Sequence, residues 1–133
     1  MAKILLIDDD ESIRKLLRTV LRSMGHAVIE ASNGRDGLKL CSEVDLVILD
    51  IFMRKMNGIE VLLDLRRRHS LVKVIVISGA VGPGAGGDLN TAALLGAVKT
   101  LQKPFILQEL MAAVNEVLPV DDERLPAATP GVN

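Results

Sequence analysis

Aliphatic runs of strand length alternate with segments of helical period five times along this chain, and few folds accommodate that rhythm. The runs are Ile4 to Ile7, Ala27 to Ala31, Leu46 to Leu49, Val74 to Ile77 and Val98 to Leu101. Each is followed by a stretch long enough to cross back over a sheet, so successive strands lie parallel with helices on both faces. The reading is an α/β domain with a doubly wound five-stranded parallel sheet, (βα)5, in the order 2-1-3-4-5. Runs one, three and four are continuously aliphatic, as strands buried on both faces are. Run two carries Glu30 and follows His26, which suits an edge.

The first helix is the clearest. Ile13, Leu16, Leu17, Val20, Leu21 and Met24 recur at helical spacing, Arg14, Lys15, Arg18 and Arg22 fill the other side, and Gly25 ends it. Ser32-Asn33-Gly34 forms a turn that caps a second helix over Arg35 to Ser42, which Gly37 weakens. Asn57 caps a third over Gly58 to Arg68, with Ile59, Val61, Leu62 and Leu65 as its apolar face; two more are expected near Leu89 to Leu95 and over Ile106 to Leu118. Residues 1–118 thus make one domain, and the proline-interrupted segment 119–133 reads as a flexible tail. A second apolar domain is not expected, so any output module would lie on another chain or in a longer parent.

Composition narrows the function classes. With 16 basic against 17 acidic side chains and a net charge of -1, there is no general attraction to nucleic acid or to an anionic membrane. Cys41, the only cysteine, excludes a disulfide framework and reads as a small core hydrophobe. No apolar stretch approaches the roughly 18 residues of a membrane span, and the chain is expected to be cytoplasmic.

The chemistry sits at the strand ends. In a parallel sheet of this order, Asp8 and Asp9 after run one, Asp50 after run three, Ser78 after run four and Lys103 after run five share one edge, at the switch point where ligands bind. Carboxylates so close repel one another, and a fold keeps them only if cations compensate. One divalent ion with Lys103 balances the three acids, and magnesium suits oxygen ligands while keeping waters that phosphate oxygens can replace. A carboxylate can attack an activated phosphoryl group to give an acyl phosphate. Asp50 is the attacking group in this scheme, Asp8 and Asp9 are a metal pair, and the metal, Lys103 and the Ser78 hydroxyl each take one equatorial oxygen.

These pieces resemble the receiver domain of two-component response regulators over about Lys3 to Leu118. They are Ile4 to Asp10 with Ile13-Arg14, Asp45 to Asp50 leading to Met53, Met56-Asn57-Gly58 and Glu60, then Val76 to Ala80, and finally Lys103-Pro104-Phe105. The resemblance implies a flavodoxin-like single-domain receiver with Asp50 as phosphoacceptor. Its magnesium site would comprise Asp8, Asp9, Asp50 and the main-chain carbonyl of Phe52. Ser78 and Lys103 would stabilise the phosphoryl group, with Lys103 preceding a cis proline. It also implies a phosphohistidine donor on a sensor histidine kinase or histidine phosphotransfer protein, and a downstream protein partner whose affinity changes. A homodimer through the last two helices and strand five is a further family expectation. Such a chain labels itself from a donor and is at most autocatalytic, not a turnover enzyme.

Some positions depart from that pattern. Arg54 stands where a proline is common, and Thr100 occupies the switch position where an aromatic often follows the motion of the hydroxyl residue, here Ser78. Gly79 to Gly87 holds five glycines and Pro83, which predicts a mobile loop beside the site. Gly82, Gly84 and Gly87 match a G-x-G-x-x-G spacing, but the next run ends in Gln102-Lys103 where a dinucleotide fold needs an acid. Arg66-Arg67-Arg68 reads as a solvated helix end, and His26 as an exposed residue at the entry to an edge strand. Two rivals stay open. A phosphorylation-independent interaction module would not bind magnesium. An aspartyl phosphatase of the haloacid-dehalogenase type would turn over phosphomonoesters, although Asp50-Ile51-Phe52 lacks its second acid. Phe52 and Ala80 are apolar and cannot position an attacking water, so an acyl phosphate should decay slowly and Phe52→Asn should accelerate its decay. A time course of label loss for both chains checks this.

Overall fold

Covering a sheet on both faces demands strands that are aliphatic through their middles, and the chain meets that demand in its three central strands. The computed structural model describes residues 2–51, 53, 57–68, 71–78, 91–103 and 105–118. Strands β1 (Lys3–Ile7), β2 (Ala27–Ala31), β3 (Leu46–Asp50), β4 (Lys73–Ser78) and β5 (Lys99–Gln102) form one sheet in the order β2-β1-β3-β4-β5. All neighbours pair in parallel, with Leu6 opposite Ile48 and Asp50 opposite Ile77. Helices α1 (Glu11–Ser23), α2 (Gly34–Leu40), α3 (Gly58–Arg68) and α4 (Leu107–Val117) cover it; residues 91–94 add a helical turn.

Successive side chains of a strand point to opposite faces, so each run serves two cores. Leu5, Ile7, Val47, Leu49, Val74 and Val76 pack with Leu38 of α2 and Val61, Leu62 and Leu65 of α3. Ile4, Leu6, Ile48, Ile75 and Ile77 pack with Leu17 and Leu21 of α1 and Leu110 and Val114 of α4. Gly37 is less a weakness of α2 than the reason it sits close to the sheet, because a Cβ there would stand 2.4 Å from Ile7 Cδ1. Gly25 adopts a φ of 93°, the left-handed conformation that ends α1.

The element order follows the reading of the sequence, with shifts of one or two residues at the ends. β5 begins at Lys99 rather than Val98, although the Val98 N–H already bonds the Val74 carbonyl at 2.9 Å. The second helix starts at Gly34 and gives way to a 3-10 turn at Cys41–Glu43; Asn33 caps it by accepting the Asp36 N–H at 2.8 Å. Asn57 caps α3 through the Ile59 N–H at 2.7 Å, and Cys41 is a buried core residue as expected. At the far end of the sheet, Lys73 donates to the Val117 carbonyl at 3.0 Å and so caps α4.

Three expectations need correction. Leu16, assigned to the apolar face of the first helix, is 46% exposed, because only the Leu17 and Leu21 side of α1 meets the sheet squarely. His26 is half-buried, its Nδ1 accepting the Ala2 N–H at 3.2 Å. Arg66 is no solvated end: it donates to the Val72 carbonyl at 2.7 Å, packs beside Gly96, and burial holds its guanidinium pKa below the ordinary value. Arg67 and Arg68 are exposed as expected. The readings of Phe52, Arg54, the 79–87 glycine segment, the start of the fourth helix, Pro104 and the 119–133 tail lie outside the described residues.

Candidate functional site

The site is built where β1, β3, β4 and β5 end. β1 stops at Ile7 because Asp8 turns away from the ladder, and β3 ends in Asp50 itself. Parallel pairing of Ile7 with Leu49 brings the two ends level, so the acid following each lies beside the other. Carboxylate oxygens of Asp8, Asp9 and Asp50 all lie within 4.8 Å of one another. Asp8 and Asp50 are buried, and Asp9 faces solvent more than either.

Three consecutive acids after β1 divide their labour. Asp10 is the N-cap of α1, accepting the Ser12 and Ile13 N–H groups at 2.9 and 3.2 Å. The Asp8 and Asp9 carboxylates lie instead with Asp50 in the pocket. The Asp8 carboxylate accepts the Asp10 N–H at 2.8 Å, and its own N–H bonds the Ala31 carbonyl at 3.2 Å.

Lys103 comes from the other side. Its N–H donates to the Ser78 carbonyl at 2.7 Å just past β5, and its Nζ lies 3.5 Å from Asp50 Oδ2 and 3.8 Å from Asp8 Oδ2. Ser78 closes β4, one residue beyond the partner of Asp50, and is fully buried. The sequence-predicted residues Asp8, Asp9, Asp50, Ser78 and Lys103 are therefore brought to one end of the sheet, while Thr100 lies half-buried in β5 opposite Val76. The Phe52 carbonyl lies outside the described residues.

One ammonium does not offset three carboxylates. Burial above all, with the nearby Asp50, raises the Asp8 carboxyl from 3.8 to about 6, a rise that the Asp10 N–H and Lys103 offset only in part. A cluster of hard oxygen donors, two of its three acids buried, is the environment a divalent cation relieves, and the donor set fits magnesium.

Sequence reading missed Arg14 and Glu30. Arg14 Nη1 donates to the Asp8 carbonyl at 2.6 Å and its Nε to Glu30 at 3.2 Å, while Glu30 also pairs with Arg18. The available signal was an acid on an edge strand beside a helix with arginines one turn apart, but those arginines looked like an ordinary polar face.

A doubly wound sheet with an acidic pocket at its switch point defines a flavodoxin-like domain equipped to hold a divalent cation and an anionic group. The response regulator receiver domain family matches residues 4–115, and the chain belongs to that family, the phosphoacceptor module of two-component signal transduction. It is 39% identical over 119 residues to the transcriptional regulatory protein CpxR of Escherichia coli (strain K12), covering 89% of this chain and 50% of that protein. The chain thus spans about half the length of that curated relative. A response regulator receiver domain protein from Clostridium thermocellum superposes with a TM-score of 0.81 at 31% identity, covering 89% of this chain and 94% of that one. Response regulator TrrA of Thermotoga maritima, solved in complex with Mg2+ and BeF, gives 0.76 at 32% identity, covering 88% and 99%. No helix among the described residues is long and apolar enough to cross a membrane.

Proposed function

We propose that in the cytoplasm Asp50 of this chain accepts a phosphoryl group from a phosphohistidine on a sensor histidine kinase or histidine phosphotransfer protein, with Mg2+ held by Asp8, Asp9, Asp50 and the Phe52 carbonyl. The observation that carries this is the cluster of three acids around one lysine at the sheet's switch point. When bound, the ion supplies positive charge to the phosphoryl oxygens and lets the acids stay ionised together. An Asp50 carboxylate oxygen attacks phosphorus, the new O–P bond forms as the donor P–N bond breaks, and the imidazole leaves with the N–P electron pair. Lys103, already 3.5 Å from Asp50, stabilises a phosphoryl oxygen, and the Ser78 hydroxyl takes another. The phosphorylated state then alters affinity for a downstream protein, with Ser78 and Thr100 as the moving positions. Wild-type chain treated with a small acyl phosphate should gain one phosphate by intact mass with magnesium and none with chelator. Label that is independent of the metal would refute the assignment.

The raised Asp8 carboxyl gives this reading a pH signature. Its folded-state pKa of about 6 exceeds the unfolded 3.8, so without metal the native chain loses stability as pH rises from about 4 to about 6. Magnesium competes with that proton, and its affinity should fall by about tenfold per pH unit below 6. Melting temperatures from pH 4 to 8, with magnesium and with chelator, should diverge as pH rises; parallel curves would contradict the coupling.

A further inference from the structure

The arginine that sequence reading left on a solvated face reaches the backbone of the acidic pocket. Arg14 Nη1 is 2.6 Å from the Asp8 carbonyl oxygen, and its side chain is only 14% exposed. Its Nε is 3.2 Å from Glu30 Oε1, and the second Glu30 oxygen pairs with Arg18, one helical turn further along α1. Glu30 stands in the edge strand β2 opposite Leu6, two residues before Asp8. A planar guanidinium held at two edges has little freedom, so the Asp8 carbonyl is gripped by a fixed donor.

The Asp8 carbonyl and the Asp9 N–H belong to one peptide plane. Fixing that oxygen fixes the rotation of the plane and hence the direction in which the Asp9 side chain leaves the backbone. Asp8 is otherwise held by the Asp10 N–H and the Ala31 carbonyl. Asp9 is the more solvent-facing of the clustered acids and most needs such aiming. We propose that Arg14, braced by Glu30, is a positioning residue that presets Asp9 toward a divalent cation by locking the Asp8–Asp9 peptide. This inference rests on the magnesium reading above.

Electrostatics alone predicts the opposite sign. Arg14 is a cation near an acidic pocket, and removing it should tighten binding of another cation. Positioning predicts weaker binding, since groups that orient metal ligands typically contribute about tenfold or more in affinity.

The test is calorimetric titration of magnesium into the full chain at pH 7.5, comparing wild type with Arg14→Met, Glu30→Gln and Arg18→Met. Arg14→Met should weaken the magnesium Kd about tenfold, and Glu30→Gln, which keeps the arginine but loosens its brace, should weaken it less. Arg18→Met removes an equal charge from the same cluster without touching the Asp8 carbonyl, and its Kd should hold or tighten. Circular dichroism melts in chelator report folding separately; should Arg14→Met be unfolded at the titration temperature, Arg14→Lys, which keeps the charge but loses the planar fork, carries the comparison and should also bind magnesium more weakly. Equal or tighter binding by the folded Arg14 variant overturns the proposal while leaving the magnesium reading intact. Wild type that takes up no magnesium removes that reading, and this inference with it.

Discussion

Asp50→Asn should gain no phosphate from a small acyl phosphate and magnesium under conditions where the wild-type chain gains one, as intact mass will show. An amide oxygen lacks the negative charge that makes a carboxylate a nucleophile, and Asp8, although buried beside Asp50, carries a carboxyl held near 6 and already engaged by the Asp10 N–H. The loss should be complete, not partial, since the remaining acids are assigned to the cation. The same substitution tests the electrostatics independently. It removes a charge that helps raise Asp8, so the pH at which Asp8 titrates should fall toward 3.8, readable by NMR of its carboxyl carbon. A labelled Asp50→Asn chain would move the acceptor elsewhere; an unlabelled one with Asp8 still near 6 would show that burial alone sets that value.

The second large effect concerns packing. A Cβ at Gly58 would stand 2.2 Å from the Ile51 Cα and 2.8 Å from the Asp50 carbonyl oxygen, both backbone atoms that cannot swing aside. The Gly58 N–H donates to the Ile51 carbonyl at 3.1 Å, so the start of α3 rests directly on the segment that follows Asp50. Gly58→Ala must push these backbones apart, at a cost of about 3 kcal/mol. Thermal unfolding should shift down by roughly 10 °C, and phosphoryl uptake should slow because the displaced backbone carries Asp50. A melting temperature within about a degree of wild type would mean that α3 docks differently from the geometry described.

Much of this was legible in the sequence, for identifiable reasons. Continuous runs such as Ile4 to Ile7 and Val74 to Ile77 mark strands covered on both faces, and with β2 polar enough for an edge the strand order follows. Once the strands are parallel, their ends are level, and Asp8, Asp50, Ser78 and Lys103 come together without any side-chain detail. What pattern could not supply is where a long side chain turns. Arg14 and Arg66 both read as solvated, yet one grips the Asp8 carbonyl and the other the Val72 carbonyl. A flexible cationic stem reaches inward or outward with no change in periodicity. Leu16 erred the other way, because a helix's apolar arc can be wider than the strip that the sheet covers.

The pocket draws Asp8, Asp9, Asp50, Ser78 and Lys103 from four separate strand ends, and Lys103 comes last in the chain. During synthesis on the ribosome, the three acids and the serine emerge well before the amine that partly offsets them. A nascent chain halted short of residue 103 lacks the amine that lies 3.5 Å from Asp50 Oδ2 in the folded domain, so the order of translation supplies that neutralising group only after the strand-end acids and the serine have been made.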